Sequence, residues 1–277
     1  MSTIAEYRVR TSSGEVSLWD SQGEGPIAFF VHGNSLCKEI FKKQFEDTVL
    51  TSQLRLMALD LPGHGSSEKA INPQKTYSLE GYAHVVVEVL EKLKINNATF
   101  IGHSMGGHVV IILLEKWPGT QGILLSGTPP IPASPEGFQK GFHPYSRLNF
   151  HKEVFDQEEA ELFISESGIK KAQAPFLVNA VLKTDGIART LLLSSVLKGV
   201  GGNQKEVVEN SKKPVAMVAG QQDPLVNYEY VEKEVNPRAF WKSKIHYIKG
   251  GHATFWENPQ EMNKIILLFL SDLNSGK

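Results

Sequence analysis

A single cysteine, Cys37, stands in 277 residues. One thiol cannot form a disulfide within the chain, and a cysteine-built zinc site needs more ligands than this. An excess of charge of one sign is missing too: Lys and Arg total 29, Asp and Glu 30, for a net charge of −1. Nucleic acids and anionic membrane surfaces select a basic face, so neither is expected as a partner. No apolar run approaches bilayer length, Ile265 to Leu270 being typical. Met1 to Arg10 contains no basic stretch leading into an apolar one, so no secretory signal is read there and a cytoplasmic location is expected. No G-x-G-x-x-G or P-loop opens a helix, and no His/Glu pair has ligand spacing, so no cofactor and no metal are expected. What is present is ordinary for a folded chain, with 41% apolar and 21% charged residues, enough for a sizeable core.

Short β-favouring runs recur, with helix-patterned segments between them. Tyr7 to Arg10 and Val16 to Asp20 alternate in polarity around Ser13-Gly14 and predict an opening hairpin. Continuous apolar runs follow at Ile27 to Val31, Leu54 to Leu59, Ala98 to Ile101, Ile123 to Leu125, Val215 to Ala219 and Ile245 to Ile248. Such runs suit strands buried on both faces. Helices are expected over Lys38 to Leu50, from a Ser78 cap to Leu93, over Met105 to Lys116, and from Asn258-Pro259 to about Leu270. Alternation of strand and helix predicts an α/β fold with a mostly parallel, doubly wound sheet. Residues 130–204 break the rhythm, and roughly 75 residues without a strand-like run are too many for a loop. They are expected to form a helical cap, 131–204, inserted into a core made of 1–130 and 205–277.

The clearest chemical signal is Gly102-His103-Ser104-Met105-Gly106-Gly107, which follows an apolar strand and opens a helix. This is G-x-S-x-G in the context it needs: a sharp strand-to-helix turn that lifts the Ser104 hydroxyl above the sheet edge. A serine hydroxyl needs a base. Among nine histidines, His252 is distinguished by its place after the last strand and Gly250-Gly251, on the same rim as Ser104. The base needs a carboxylate to fix its tautomer, and Asp223 follows the strand Val215 to Ala219 in Gly220-Gln221-Gln222-Asp223-Pro224. The oxyanion that forms on attack needs donors worth about 3 to 4 kcal/mol each. The expected donors are the backbone N–H groups of Met105 and of Asn34, in His32-Gly33-Asn34-Ser35 after the first parallel strand. The Asn34 side chain is also expected to contact substrate. Asp60 to Ser66, with its Pro-Gly turn, is expected to be structural, with His64 as a loop hydrogen-bonder. His103 and His108 lie five apart across the elbow, which is not metal-ligand spacing on a helix, so packing or hydrogen bonding is expected of both.

Taken together, His32-Gly33-Asn34, Asp60 to Gly65, Gly102 to Gly107, Asp223 and Gly250-Gly251-His252 resemble the α/β-hydrolase superfamily over the whole chain. A narrower likeness is carried by Tyr77-Ser78-Leu79-Glu80-Gly81-Tyr82, Gly127-Thr128-Pro129-Pro130, Lys183-Thr184-Asp185-Gly186 and Gly201-Gly202-Asn203-Gln204. These segments look like those of the serine-type N-acyl homoserine lactonases, metal-free hydrolases that open the lactone ring of bacterial quorum-sensing signals. The resemblance implies a glutamate as the acid, where this chain has Asp223. It also implies a cap tyrosine near the substrate, where this chain has Phe163. Asn34, His103 and Phe163 are the substrate-binding candidates.

The expected ligand is a small acyl lactone or ester. The cap holds Phe138, Phe142, Phe150, Phe155, Phe163 and Phe176, with Leu191 to Leu193 and Val196-Leu197, which suits an acyl chain. The same fold also serves general carboxylesterases and hydrolases of carbon–carbon bonds in acidic diketones. The diketone chemistry would favour cations such as Arg147 or Arg189 at the pocket. A ligand receptor on a hydrolase scaffold is the reading from another class, separated from the rest by measured turnover.

Overall fold

The structure is a computed structural model that describes residues 4–144 and 150–275; Arg147 lies outside the described residues. Eight strands form one sheet: β1 (Ala5–Thr11), β2 (Gly14–Asp20), β3 (Ile27–Val31), β4 (Arg55–Leu59), β5 (Ala98–His103), β6 (Thr120–Ser126), β7 (Val215–Gly220) and β8 (His246–Ile248). Their spatial order is β1-β2-β4-β3-β5-β6-β7-β8. The β1–β2 hairpin is antiparallel and β2 meets β4 antiparallel, whereas every pair from β4 to β8 is parallel. The hairpin turns at Ser12-Ser13, and Gly14, at φ 120°, already pairs with Thr11.

Alternation along each strand divides the core between the two faces of the sheet. Phe29 and Val31 of β3, with Met217 and Ala219 of β7, pack with the helices Leu79–Lys92 and Met105–Lys116. Ala28 and Phe30, with Ala216 and Val218, pack with Phe41, Phe45 and the C-terminal helix Pro259–Ser275. Both faces are therefore sealed, which is why the strand sequences read as continuous apolar runs. Ser78 caps its helix by accepting from Gly81 N–H. The helix expected over Lys38 to Leu50 is broken instead into short turns, Lys38–Phe41 and Lys42–Phe45, and a separate helix, Thr48–Gln53. The break comes at Asp47, whose carboxylate accepts from Val49 and Leu50 N–H and starts the second helix afresh.

Between β6 and β7 the described residues contain no strand. They form the helices Pro135–Gly141, Gln157–Glu166, Pro175–Lys183, Gly186–Leu197 and Gln204–Glu209. The two ends of this insert are joined by a bridge between Pro132 and Asn203. No described helix is long and apolar enough to cross a membrane.

One buried ion pair braces the loops at the rim. Lys38 Nζ lies 2.9 Å from Asp60 Oδ2, and both side chains are fully buried. Asp60 also accepts from Lys38 N–H at 2.7 Å and Ser66 N–H at 2.9 Å. Lys38→Met would leave the Asp60 charge buried without its counter-ion. The expected loss of stability is about 3 to 5 kcal/mol, measured as a fall in the denaturant midpoint at pH 7. A change below about 0.5 kcal/mol would show that the pair is not a stabilising element.

Candidate active site

Parallel registry sets the carboxyl ends of β3, β5, β6, β7 and β8 side by side: Val31 opposes Gly102, His103 opposes Ser126, and Gly220 opposes Ile248. The residues that follow these strands share one rim. Ser104 stands between β5 and the helix Met105–Lys116 at φ 52° and ψ −119°, a backbone state costing a non-glycine residue roughly 1 to 3 kcal/mol. Its surroundings hold it there. Ser104 N–H donates to Ser126 O at 2.9 Å, and Thr128 Oγ1 donates to Ser104 O at 2.9 Å. A Cβ at Gly106 would stand 2.1 Å from Val31 O, so only glycine lets this helix start so close to β3.

His252 Nδ1 lies 2.9 Å from Asp223 Oδ2, with both side chains almost fully buried. A carboxylate oxygen only accepts, so Nδ1 carries a proton, and in the neutral ring Nε2 is then the acceptor. Asp223 is filled by further donors: Leu225 N–H at 2.9 Å and Val226 N–H at 3.2 Å on Oδ1, and Tyr228 OH at 3.2 Å on Oδ2. Burial would raise the Asp223 carboxyl, but the adjacent His252 ring and these hydrogen bonds outweigh it and hold it below the ordinary range. On the other side, Glu257 accepts from Gly251 N–H at 2.9 Å and Ala253 N–H at 3.2 Å, bracing His252 from both neighbours. Tyr228 and Glu257 were not legible as site residues, because neither belongs to a local motif.

His103 packs its ring between His252, at 4.8 Å, and Phe255, at 4.6 Å. Burial, with the His252 ring beside it, pushes its pKa well down, so it stays neutral. Met105 is the first residue of its helix, where an N–H has no carbonyl within the helix to serve. Asn34 Nδ2 donates to Phe150 O at 3.2 Å, tying the loop after β3 to the helical insert. His32 and His64 have structural places. His32 accepts from Leu61 N–H at 3.0 Å, and His64 sits 3.1 Å from Pro62 O.

A cavity of about 360 Å³ opens on Ser104 and His252, and Gly33, Asn34, His103 and Met105 also line it. The insert contributes Phe138, Phe142, Phe150, Phe163, Leu192 and Val196 to its wall. Phe155 and Phe176 do not reach it: Phe155 lies under Arg189, whose guanidinium is 4.4 Å from its ring, and Phe176 packs on Trp256. Arg189 is 1% exposed, and it donates to Ser35 Oγ at 2.7 Å, Glu153 O at 2.8 Å and Val181 O. Its donors are committed to the fold, so it is not the substrate-binding cation that a diketone hydrolase would use. No Lys or Arg stands among the described residues lining the cavity. Nor do three His, Cys, Asp or Glu side chains among the described residues converge as metal ligands would.

A model of the alpha/beta hydrolase family matches residues 28–265. The chain belongs to that family. As an alpha/beta hydrolase it is similar to the N-acyl homoserine lactonase AidH. The crystal structure of AidH with N-butanoyl homoserine is 35% identical, covers 98% of this chain and 97% of that one, and gives a TM-score of 0.91. The bifunctional esterase/perhydrolase DCH of Acinetobacter calcoaceticus is 25% identical over 278 residues, 89% of this chain and 92% of its own. A 2-hydroxy-6-oxononadienedioate/2-hydroxy-6-oxononatrienedioate hydrolase of Burkholderia vietnamiensis is 23% identical over 245 residues, 81% of the present chain and 79% of its own length.

Proposed function

We propose that this α/β hydrolase opens the lactone ring of N-acyl homoserine lactones by nucleophilic catalysis at Ser104. One observation carries the reading: Ser104 and His252 line one apolar cavity, with His252 held from behind by Asp223. The likeness to AidH over 98% of the chain supports the substrate class. Ser104 Oγ attacks the lactone carbonyl as its proton passes to His252 Nε2. Met105 and Asn34 N–H groups stabilise the oxyanion. The ring oxygen leaves with the proton from His252, giving an acyl-enzyme that still carries the opened alcohol. Water, deprotonated by His252, then attacks the ester and releases N-acyl homoserine. Asp223 serves as the acid on a shorter arm than glutamate, and Phe163 offers the substrate an apolar face.

Ring opening produces a carboxylic acid, so proton release at weakly buffered pH reports it directly. A chelator-treated sample is expected to turn over a chain-length series of lactones and to be silenced by a serine-directed sulfonyl fluoride. Each buried CH₂ adds up to about 0.8 kcal/mol, so kcat/KM should rise up to about fourfold per carbon until the cavity is full. Rapid cleavage of ethyl and p-nitrophenyl esters with no proton release from any lactone would make the protein a general carboxylesterase. Loss of activity on chelation, restored by a divalent metal, would end the serine mechanism.

A further inference from the structure

The apolar cavity contains one polar pair that the proposed chemistry does not use. His108 lies four residues beyond Ser104 on the same helix and lines the cavity with Gln204. Gln204 Nε2 donates to the His108 backbone carbonyl at 3.0 Å. A carbonyl only accepts, so the amide nitrogen must face it and Oε1 must face the ring. Oε1 lies 2.6 Å from His108 Nδ1 and can only accept as well. Nδ1 therefore carries the ring proton. Burial lowers the pKa of His108 to about 4, so the ring is neutral at working pH and Nε2 is an acceptor. Nε2 has no partner among the described residues, and unlike His64 Nε2 it is not sealed inside the protein.

We propose that His108 Nε2 accepts a hydrogen bond from a hydroxyl on the acyl chain, so that the preferred substrates are hydroxyacyl compounds. This rests on the lactonase reading for its substrate class. One helical turn separates His108 from Ser104, about 6 Å along the axis. In an N-acyl homoserine lactone the amide nitrogen is two bonds from the attacked carbonyl, too near Ser104 to span that offset. The third carbon of the acyl chain is five bonds away and does span it. A 3-hydroxyl there presents a donor to the bare nitrogen. A 3-oxo group presents an acceptor to an acceptor, and a plain chain leaves Nε2 buried and unpaired.

The test compares 3-hydroxy, 3-oxo and unsubstituted lactones of one chain length, alongside ethyl 6-hydroxyhexanoate and ethyl hexanoate. In the ester pair the hydroxyl-bearing carbon is again five bonds from the attacked carbonyl. The intact protein is expected to prefer the hydroxylated member by about five- to tenfold in kcat/KM in both series. His108→Leu should abolish that preference while the unsubstituted substrates remain good. Gln204→Leu frees the ring to carry its proton on Nε2, and should raise the 3-oxo over 3-hydroxy ratio by about tenfold. Equal rates within twofold in the intact protein would overturn the subsite, as would a preference that survives His108→Leu. Silence on all lactones with the ester preference intact would refute the lactonase reading and leave the subsite standing. Silence on lactones with no ester preference would overturn both.

Discussion

Ser104→Ala is expected to lower kcat on the order of 10⁴- to 10⁶-fold on the best substrate. The substitution removes one oxygen and little else. Alanine has a Cβ like serine, so the backbone at φ 52° keeps the same strain and the same ties to Ser126 and Thr128. The cavity keeps its wall, and the expected oxyanion donors, Met105 and Asn34 N–H, are backbone groups that the change does not touch. KM should therefore move little while the chemical step collapses. Steady-state kinetics by pH-stat, with circular dichroism on the same sample, separates lost chemistry from lost fold. Near-native turnover by a folded Ser104→Ala protein would end the assignment of Ser104 as nucleophile.

Asp223→Asn should cost about 10⁴-fold in kcat. Leu225 and Val226 N–H hold Oδ1 of the aspartate, so the oxygen of an asparagine is drawn to the same donors. Its NH₂ then faces His252 Nδ1 and the Tyr228 hydroxyl, both of which donate to Asp223 Oδ2. To avoid a clash of donors the imidazole must accept at Nδ1 and carry its proton on Nε2. In that tautomer it cannot take the Ser104 proton. Tyr228→Phe is the milder control: it removes one of four hydrogen bonds to the carboxylate and leaves the tautomer alone. A loss of about tenfold or less is expected there. If Asp223→Asn were no more harmful than Tyr228→Phe, the carboxylate would not be setting the tautomer of His252.

What could be read in the chain and what could not divides along contact range. The elbow at Ser104, the strand runs and the capped helices are signals written in neighbouring residues. The positions of Asp223 and His252 needed only the added rule that parallel strands end on a common rim. The helix expected from Lys38 to Leu50 went wrong because apolar spacing carries no record of Asp47 restarting the chain with its own cap. The direction of Arg189 could not be read because its acceptors, Ser35 Oγ and the carbonyls of Glu153 and Val181, are set by packing rather than by pattern. Pairs such as Lys38–Asp60 and His108–Gln204 are likewise absent from any local window. The aromatic richness of the insert pointed to an apolar lining. Only the fold separates Phe163, which lines the cavity, from Phe155, which lies under a guanidinium.

The anchoring of Arg189 also bears on how such enzymes can be recombined. Its guanidinium joins two separate parts of the helical insert to Ser35, the residue next to Asn34, while Asn34 itself holds Phe150 O. The insert and the loop after β3 are thus tied into one hydrogen-bonded unit. Replacing the loop beneath this insert with one that lacks the Ser35 hydroxyl would bury the Arg189 guanidinium short of an acceptor, and an insert that lacks the carbonyl at Phe150 would leave the Asn34 amide without its partner. Libraries built to change acyl preference therefore have more freedom at Leu192, Val196 and Phe138, which touch the cavity, than at Ser35 or Arg189, where new sequence must arrive in pairs.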